Sequence, residues 1–273
     1  MLRRSQVIDN WNGVAFNQVP NSRNEIHGDK VAKDYGFKGG LVPGVTVSAY
    51  LLHPAAVSFG LDYLEQGFAH IRVNSPLYDE ETFEIQIQDQ HEQGYSACLV
   101  REDGTLSATA EVRIETIRAE PPRPRGDKAG DKEATLIPAT RENMQTLQAT
   151  GCKSFTYRWN AEHDMSTYLS DRSSMADVFS RDGYANPSFV LGISNWVLAA
   201  NAHMNPWVHM ETRSQNYAAI PQGTKVLGEM QITDLFEKKG HEFVDSTINL
   251  FGAAAGKCFS SIQLRAIYRL RGL

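Results

Sequence analysis

The chain has 273 residues, 41% of them hydrophobic and 22% charged, with a formal net charge of −5. That length suits one large domain or two small ones, and both charge signs are interspersed without a basic stripe, which argues against a nucleic-acid partner. Cys98, Cys152 and Cys258 are too few and too widely spaced for a disulfide framework or a zinc site, and fit a reducing, cytoplasmic setting.

The N-terminal MLRRSQVIDNWN carries Arg3 and Arg4 with no apolar stretch behind them, so it does not read as a secretory signal. No window reaches the roughly 18 uninterrupted apolar residues of a membrane span. DKVAKDYGF (29–37) predicts a short helix, and GGLVPG (39–44) a tight entry into a longer apolar helix that begins with VTVSAYLLH (45–53). His53, just before Pro54, is expected near that helix's C-terminal end, where the helix dipole favours an imidazole. TFEIQIQ (82–88) alternates Phe83, Ile85 and Ile87 against Glu84, Gln86 and Gln88, as a half-buried strand does. Turn residues follow at 92–94, then the closing strand LSATAEVRIET (106–116).

Residues 118–133, RAEPPRPRGDKAGDKE, are rich in Pro, Gly and charge and read as a solvated linker. They divide the chain into an N-terminal half, 1–117, and a C-terminal half, 134–273. The second half repeats the order of the first: RSSMADVFSRDGY (172–184), the helix entry NPS (186–188), an apolar run to Met204, the alternating strand GEMQITDL (228–235), a turn at 238–240, and KCFSSIQLRAIYR (257–269). Aligning Gly36 with Gly183 and Phe37 with Tyr184 gives one offset, 183 − 36 = 184 − 37 = 147. An apolar helix of about four turns must be covered on most sides, and a curved antiparallel sheet around it does so.

The chemistry concentrates in NEIHGDKVAKDYGFKGGLVPG (24–44). An imidazole near a helix start, with open backbone N–H groups close by, can activate water and polarise a carbonyl. This run resembles the core of the MaoC-like hydratases, whose signature reads roughly Asp-x-Asn-Pro-Ile-His followed by a Gly-rich entry to the central helix. Asn24, Ile26 and His27 match; Ser22 stands at the Asp position and Glu25 at the Pro.

The resemblance implies an α+β tandem (double) hotdog, each half an antiparallel sheet wrapped around a long central helix. It also implies hydration or dehydration of enoyl or 3-hydroxyacyl thioesters in fatty acid metabolism. The acyl group would be carried by CoA or by the phosphopantetheine of an acyl carrier protein, with no other cofactor and no metal. In these terms His27 is the base, Asn24 its orienting neighbour and Ser22 the holder of the water, with the acid supplied from elsewhere. The amides of Gly39, Gly40 and Gly44 would receive the thioester oxygen. Asp29 reads as an N-cap. At the 147 offset His27 maps to Ser174 and Asp29 to Ala176, so only the first half keeps a reactive constellation; His163-Asp164 could approach from a neighbouring loop but reads first as a surface pair in a turn.

Two alternatives stay open. A hotdog thioesterase would direct a His27-activated water at the carbonyl, although neither apolar helix contains the carboxylate many such enzymes use. A non-catalytic acyl-thioester binder fits the missing acid at position 22. No membrane association is expected, and both monomer and homodimer are compatible with the sequence.

Overall fold

The computed structural model describes residues 7–271; Arg3 and Arg4 lie outside the described residues. Among the described residues ten strands form one antiparallel sheet that is not closed into a barrel: β1 (Trp11–Val14), β2 (Gly67–Val73), β3 (Thr82–His91), β4 (Gly94–Arg101), β5 (Leu106–Ile114), β6 (Phe155–Arg158), β7 (Val208–Asn216), β8 (Lys225–Lys238), β9 (His241–Gly252) and β10 (Cys258–Arg269). Their spatial order is β1-β3-β4-β5-β2-β7-β10-β9-β8-β6. Each half, read inward from its own edge, runs first, third, fourth, fifth, second strand. The halves are thus two copies of one unit, joined where β2 pairs antiparallel with β7 from Phe68↔Gln215 to Arg72↔Glu211.

The helices are α1 (Asp29–Asp34), α2 (Gly44–Phe59), α3 (Leu61–Gln66), α4 (Arg141–Thr150), α5 (Asp177–Ser180) and α6 (Pro187–Asn201). Each half wraps its five strands around one long apolar helix, α2 or α6, and these two helices pack against each other. That is the duplicated arrangement expected of a double hotdog. The offset of 147 holds through the short helices: Gly36 and Gly183 both take positive φ, +82° and +75°. It contracts to 187 − 44 = 143 at the long helices and returns to 241 − 94 = 147 at β4 and β9.

Strand alternation follows the sequence pattern. Phe83, Ile85, Met230 and Ile232 are buried on the inner face. The Lys239-Gly240 turn has φ of +56° and +78°, as a two-residue hairpin requires. Among the described residues no helix is long and apolar enough to cross a membrane.

Two expectations need correction. His53 is not at a helix end, because α2 runs on through Pro54 to Phe59. A proline inside a helix normally breaks the local ladder. Here the Tyr95 hydroxyl enters the opening, donating to the Leu51 carbonyl at 2.7 Å and accepting from Ala55 N–H at 3.2 Å. His53 is buried beneath Trp11, with ring centroids 4.2 Å apart, and its Nδ1 is hydrogen-bonded to the Tyr168 hydroxyl at 2.8 Å.

The second correction concerns residues 118–133. They contain no helix or strand, but they are not simply solvated. The fully buried carboxylate of Glu229 on β8 accepts the N–H of Arg125 at 2.7 Å, of Gly126 at 2.8 Å and of Asp127 at 3.0 Å. Turn-rich sequence at 125–127 thus presents a concave row of donors to one anion, which pins the segment to the sheet.

Candidate functional site

His27 ends a 3-10 turn, Glu25–His27, that leads through Gly28 into α1. The turn is anchored by its one apolar residue: Ile26 is buried with Ala32 and Leu41 in a small satellite core. Leu41 N–H donates to the Ile26 carbonyl at 3.0 Å, so the chain returning toward α2 runs beside the turn. That return puts the Leu41 carbonyl 2.7 Å from His27 Nδ1.

The Leu41 carbonyl can only accept, so the proton sits on Nδ1 and the lone pair on Nε2. Burial lowers the His27 pKa from its ordinary value, with the Leu41 bond opposing more weakly. The ring is therefore neutral near pH 7, with Nε2 available as a base.

Asn24 lies 3.4 Å from Nε2 through its Nδ2. Its firmer contacts cross to the other half: Nδ2 donates to the Trp207 carbonyl at 3.0 Å, and Oδ1 accepts Trp207 N–H at 3.2 Å. A second reciprocal pair joins Glu25 to Asn205 at 3.0 and 2.7 Å. The loop bearing His27 is thus clamped by residues about 180 positions later. Ser22 Oγ donates to the Asn24 carbonyl at 3.0 Å.

The glycines divide in role. Gly40 N–H is committed to Asp29 Oδ1 at 2.9 Å, and a Cβ at Gly40 would lie 2.3 Å from the His27 carbonyl oxygen. Gly40 is glycine because the chain passes against the His27 backbone, and its amide is not free for a ligand. Gly39 abuts the same Asp29 carboxylate and lines no cavity with His27. Asp29 itself is not an N-cap: Gly28 occupies that place, and Asp29 is the first residue of α1, holding Gly40 and Lys33. Those bonds, Gly40 first, keep its carboxyl below the usual range.

Gly44, the first residue of α2, does face the site. Pro43 supplies no side-chain cap, and the N–H groups of Gly44 and Val45 find no acceptor among the described residues. These donors, at the positive end of a 16-residue helix, suit an oxygen that gains negative charge.

Two spaces meet at this point. A cavity of about 210 Å³ is lined by His27, Asn24, Gly44, Asn195 and His209 over an apolar floor that includes Phe37, Leu77 and Ile267. A cleft of about 530 Å³ between the halves is lined by Ser22, Asn24, His27, Val45, His163, Asn195 and Trp196. Asn24, His27, Asn195 and Trp207 border both, so His27 sits in their shared wall. The wider cleft also reaches Asp131 and Glu133 and the exposed Asp164.

At the 147 offset the second half repeats the 3-10 turn as Arg172–Ser174, and Ser174, exposed, replaces His27 at its end. His163 departs from the surface reading. It is half-buried in the wider cleft, its ring 4.9 Å from those of Phe189 and Trp196, while Nδ1 accepts Met165 N–H at 3.0 Å. His209 was not legible as a site residue. Nothing around it in the sequence marks it, and its place depends on the path of β7. Among the described residues no cluster of three or more His, Cys, Asp or Glu is placed to hold a metal ion.

No protein-family model matches the sequence, and no curated protein does either. Solved structures do. A Mycobacterium tuberculosis protein described as having a double hotdog fold aligns over 96% of each chain at 9% identity, with a TM-score of 0.55. A protein described as a MaoC domain dehydratase from Chloroflexus aurantiacus aligns over 95% of each chain at 9% identity and TM-score 0.53. One described as a thioesterase from Novosphingobium aromaticivorans covers 85% of this chain and 89% of its own at 12% identity and TM-score 0.50. The fold is a double hotdog, shared with proteins described as dehydratases and as thioesterases.

Proposed function

We propose that the protein processes acyl thioesters carried by CoA or by the phosphopantetheine of a carrier protein, as a hydratase or dehydratase. The observation that supports this most is His27, neutral, with Nδ1–H fixed by the Leu41 carbonyl, its ring bordering two spaces, one shared with Gly44 and the other with Val45, whose amides have no acceptor among the described residues. In hydration, Nε2 removes a proton from water as the water oxygen bonds to C3 of the enoyl group. The double-bond electrons move onto the thioester oxygen, where the α2 amides stabilise the charge. The imidazolium then returns the proton to C2, so the elements of water are added with none left over. Dehydration runs the same steps in reverse.

A single imidazole serving first as base and then as acid needs no carboxylate at position 22. That suits a site in which Ser22 is already turned toward the Asn24 carbonyl. The test is a panel of 2-enoyl-CoA thioesters, followed by loss of the conjugated absorbance alongside a free-thiol reagent. Absorbance loss without thiol is the expected result, with His27→Ala lowering the rate by about 10²-fold or more. Thiol release would reassign the protein to thioester hydrolysis. Silence in both channels, with thermal stabilisation by the thioester intact, would make it a non-catalytic binder of acyl thioesters.

A further inference from the structure

The inner face of β7 departs from strict alternation. Its buried polar residues Ser214 and Thr212 are two apart, but the next, His209, is three back. The pairing with β10 shows why: Glu211 faces Arg265 and His209 faces Ala266, so β7 advances two residues while β10 advances one. A bulge at Met210 therefore turns His209 inward, where regular pleating would have aimed Met210.

Once inward, His209 is fixed on three sides. Nε2 and the Thr212 hydroxyl are 2.6 Å apart, and Nδ1 is 3.0 Å from Asn195 Oδ1 on α6. The third side is Gly44, where a Cβ would come within 2.9 Å of the imidazole. Glycine at the head of α2 is thus required by the close approach of this ring. His209 is bridged between the start of the first half's central helix and the middle of the second's. Burial holds its pKa down near 4, so the bridge is a neutral one.

Asn195 is half-buried and borders both spaces that meet at His27. With Oδ1 engaged by His209 Nδ1–H, its Nδ2 has no partner among the described residues. The two unpaired donors, Gly44 N–H from one half and Asn195 Nδ2 from the other, flank the same imidazole ring. We propose that Asn195 is a substrate-binding residue whose Nδ2–H donates to the thioester carbonyl oxygen together with Gly44 N–H, and that His209 and Thr212 are the positioning residues that aim it. The carbonyl would then be gripped by both halves, and neither half alone could build the site.

This rests on the acyl-thioester reading, and the experiment separates the two. Saturated acyl-CoA thioesters of short, medium and long chain are titrated against wild type, together with S-alkyl-CoA thioethers of matching length, which lack only the carbonyl oxygen. The readout is the ratio of thioether Kd to thioester Kd. Wild type is expected to prefer the thioester, and Asn195→Ala to reduce that preference about tenfold while leaving the thioether Kd unchanged. Asn195→Asp keeps the shape and the contact to His209 while removing the donor; it should lose the preference as well, and carries the test if the alanine variant fails to fold. A ratio unchanged in a folded variant, or a wild type indifferent to the carbonyl, overturns the Asn195 assignment and leaves the acyl-thioester reading standing. Wild type that binds neither acyl-CoA nor the matching acyl-phosphopantetheine thioester overturns both.

Discussion

Lowering the pH from about 7 to about 5 should destabilise the fold through imidazoles that burial holds neutral, and His53→Gln should remove about 2 kcal/mol of that effect. His53 and His209 are each 5% exposed, and burial lowers both pKa values to about 4. An unfolded imidazole titrates near 6.5, so between those values the unfolded chain holds a proton that the folded chain refuses. The stability from a depressed pKa is fully present above the unfolded value and is lost as pH falls toward the folded one. From about pH 7 to about pH 5 each group costs about 2 kcal/mol, so the pair costs about 4 kcal/mol. Glutamine at position 53 keeps a hydrogen-bonding group for the Tyr168 hydroxyl but has no proton to gain. Urea unfolding across this range, in wild type and variant, measures the slope of stability against pH. Averaged over these two pH units, the slope should fall by about 1 kcal/mol per unit in the variant. Equal slopes would refute the idea that His53 is held neutral.

The linker contact gives a local test: Glu229→Gln keeps one carbonyl acceptor but presents a donor to one of the three N–H groups, at a cost of about 2–4 kcal/mol. Trypsin should then cut at Arg125 and Lys128 faster than in wild type; unchanged cleavage would mean that Glu229 does not hold the segment. Tyr95→Phe removes the hydroxyl bridging Leu51 and Ala55 and should lower stability by about 1–3 kcal/mol in denaturant titration, with less loss if water takes its place. Gly40→Ala forces a methyl group against the His27 carbonyl, so turnover should fall well beyond any loss of thermal stability; full activity would sink the claim that this approach sets the ring. Since burial lowers the His27 pKa, kcat/KM should fall toward acid pH with a midpoint below 6.5, as Nε2 gains a proton. A midpoint above 6.5 would contradict the desolvated, neutral ring.

The sequence by itself determined the duplicated α+β plan and the neighbourhood of the imidazole. Those signals are local or periodic: strand alternation through Phe83 and Ile85, two apolar helices, and a glycine after each short helix that must take positive φ. The step from Asn24 to His27 is likewise one short turn, which the Asn-Glu-Ile-His run encodes directly. What depended on partners far along the chain was decided only by the tertiary structure. Pro54 reads as a helix stop until Tyr95, 40 residues beyond Ala55, fills the gap it leaves. Residues 125–127 read as solvated until Glu229, about a hundred positions later, gathers their amides. Asp29 is a plausible cap by its spacing, yet the returning chain brings Gly40 to it and spends the amide that a ligand was expected to use. His209 and Asn195 carry no motif at all. A one-residue bulge in β7 turns the ring inward, and the packing of one helix's first residue against it sets the amide beside the cavity. A change of face by a single residue leaves composition and periodicity almost untouched, which is why that part of the site had to be found in three dimensions.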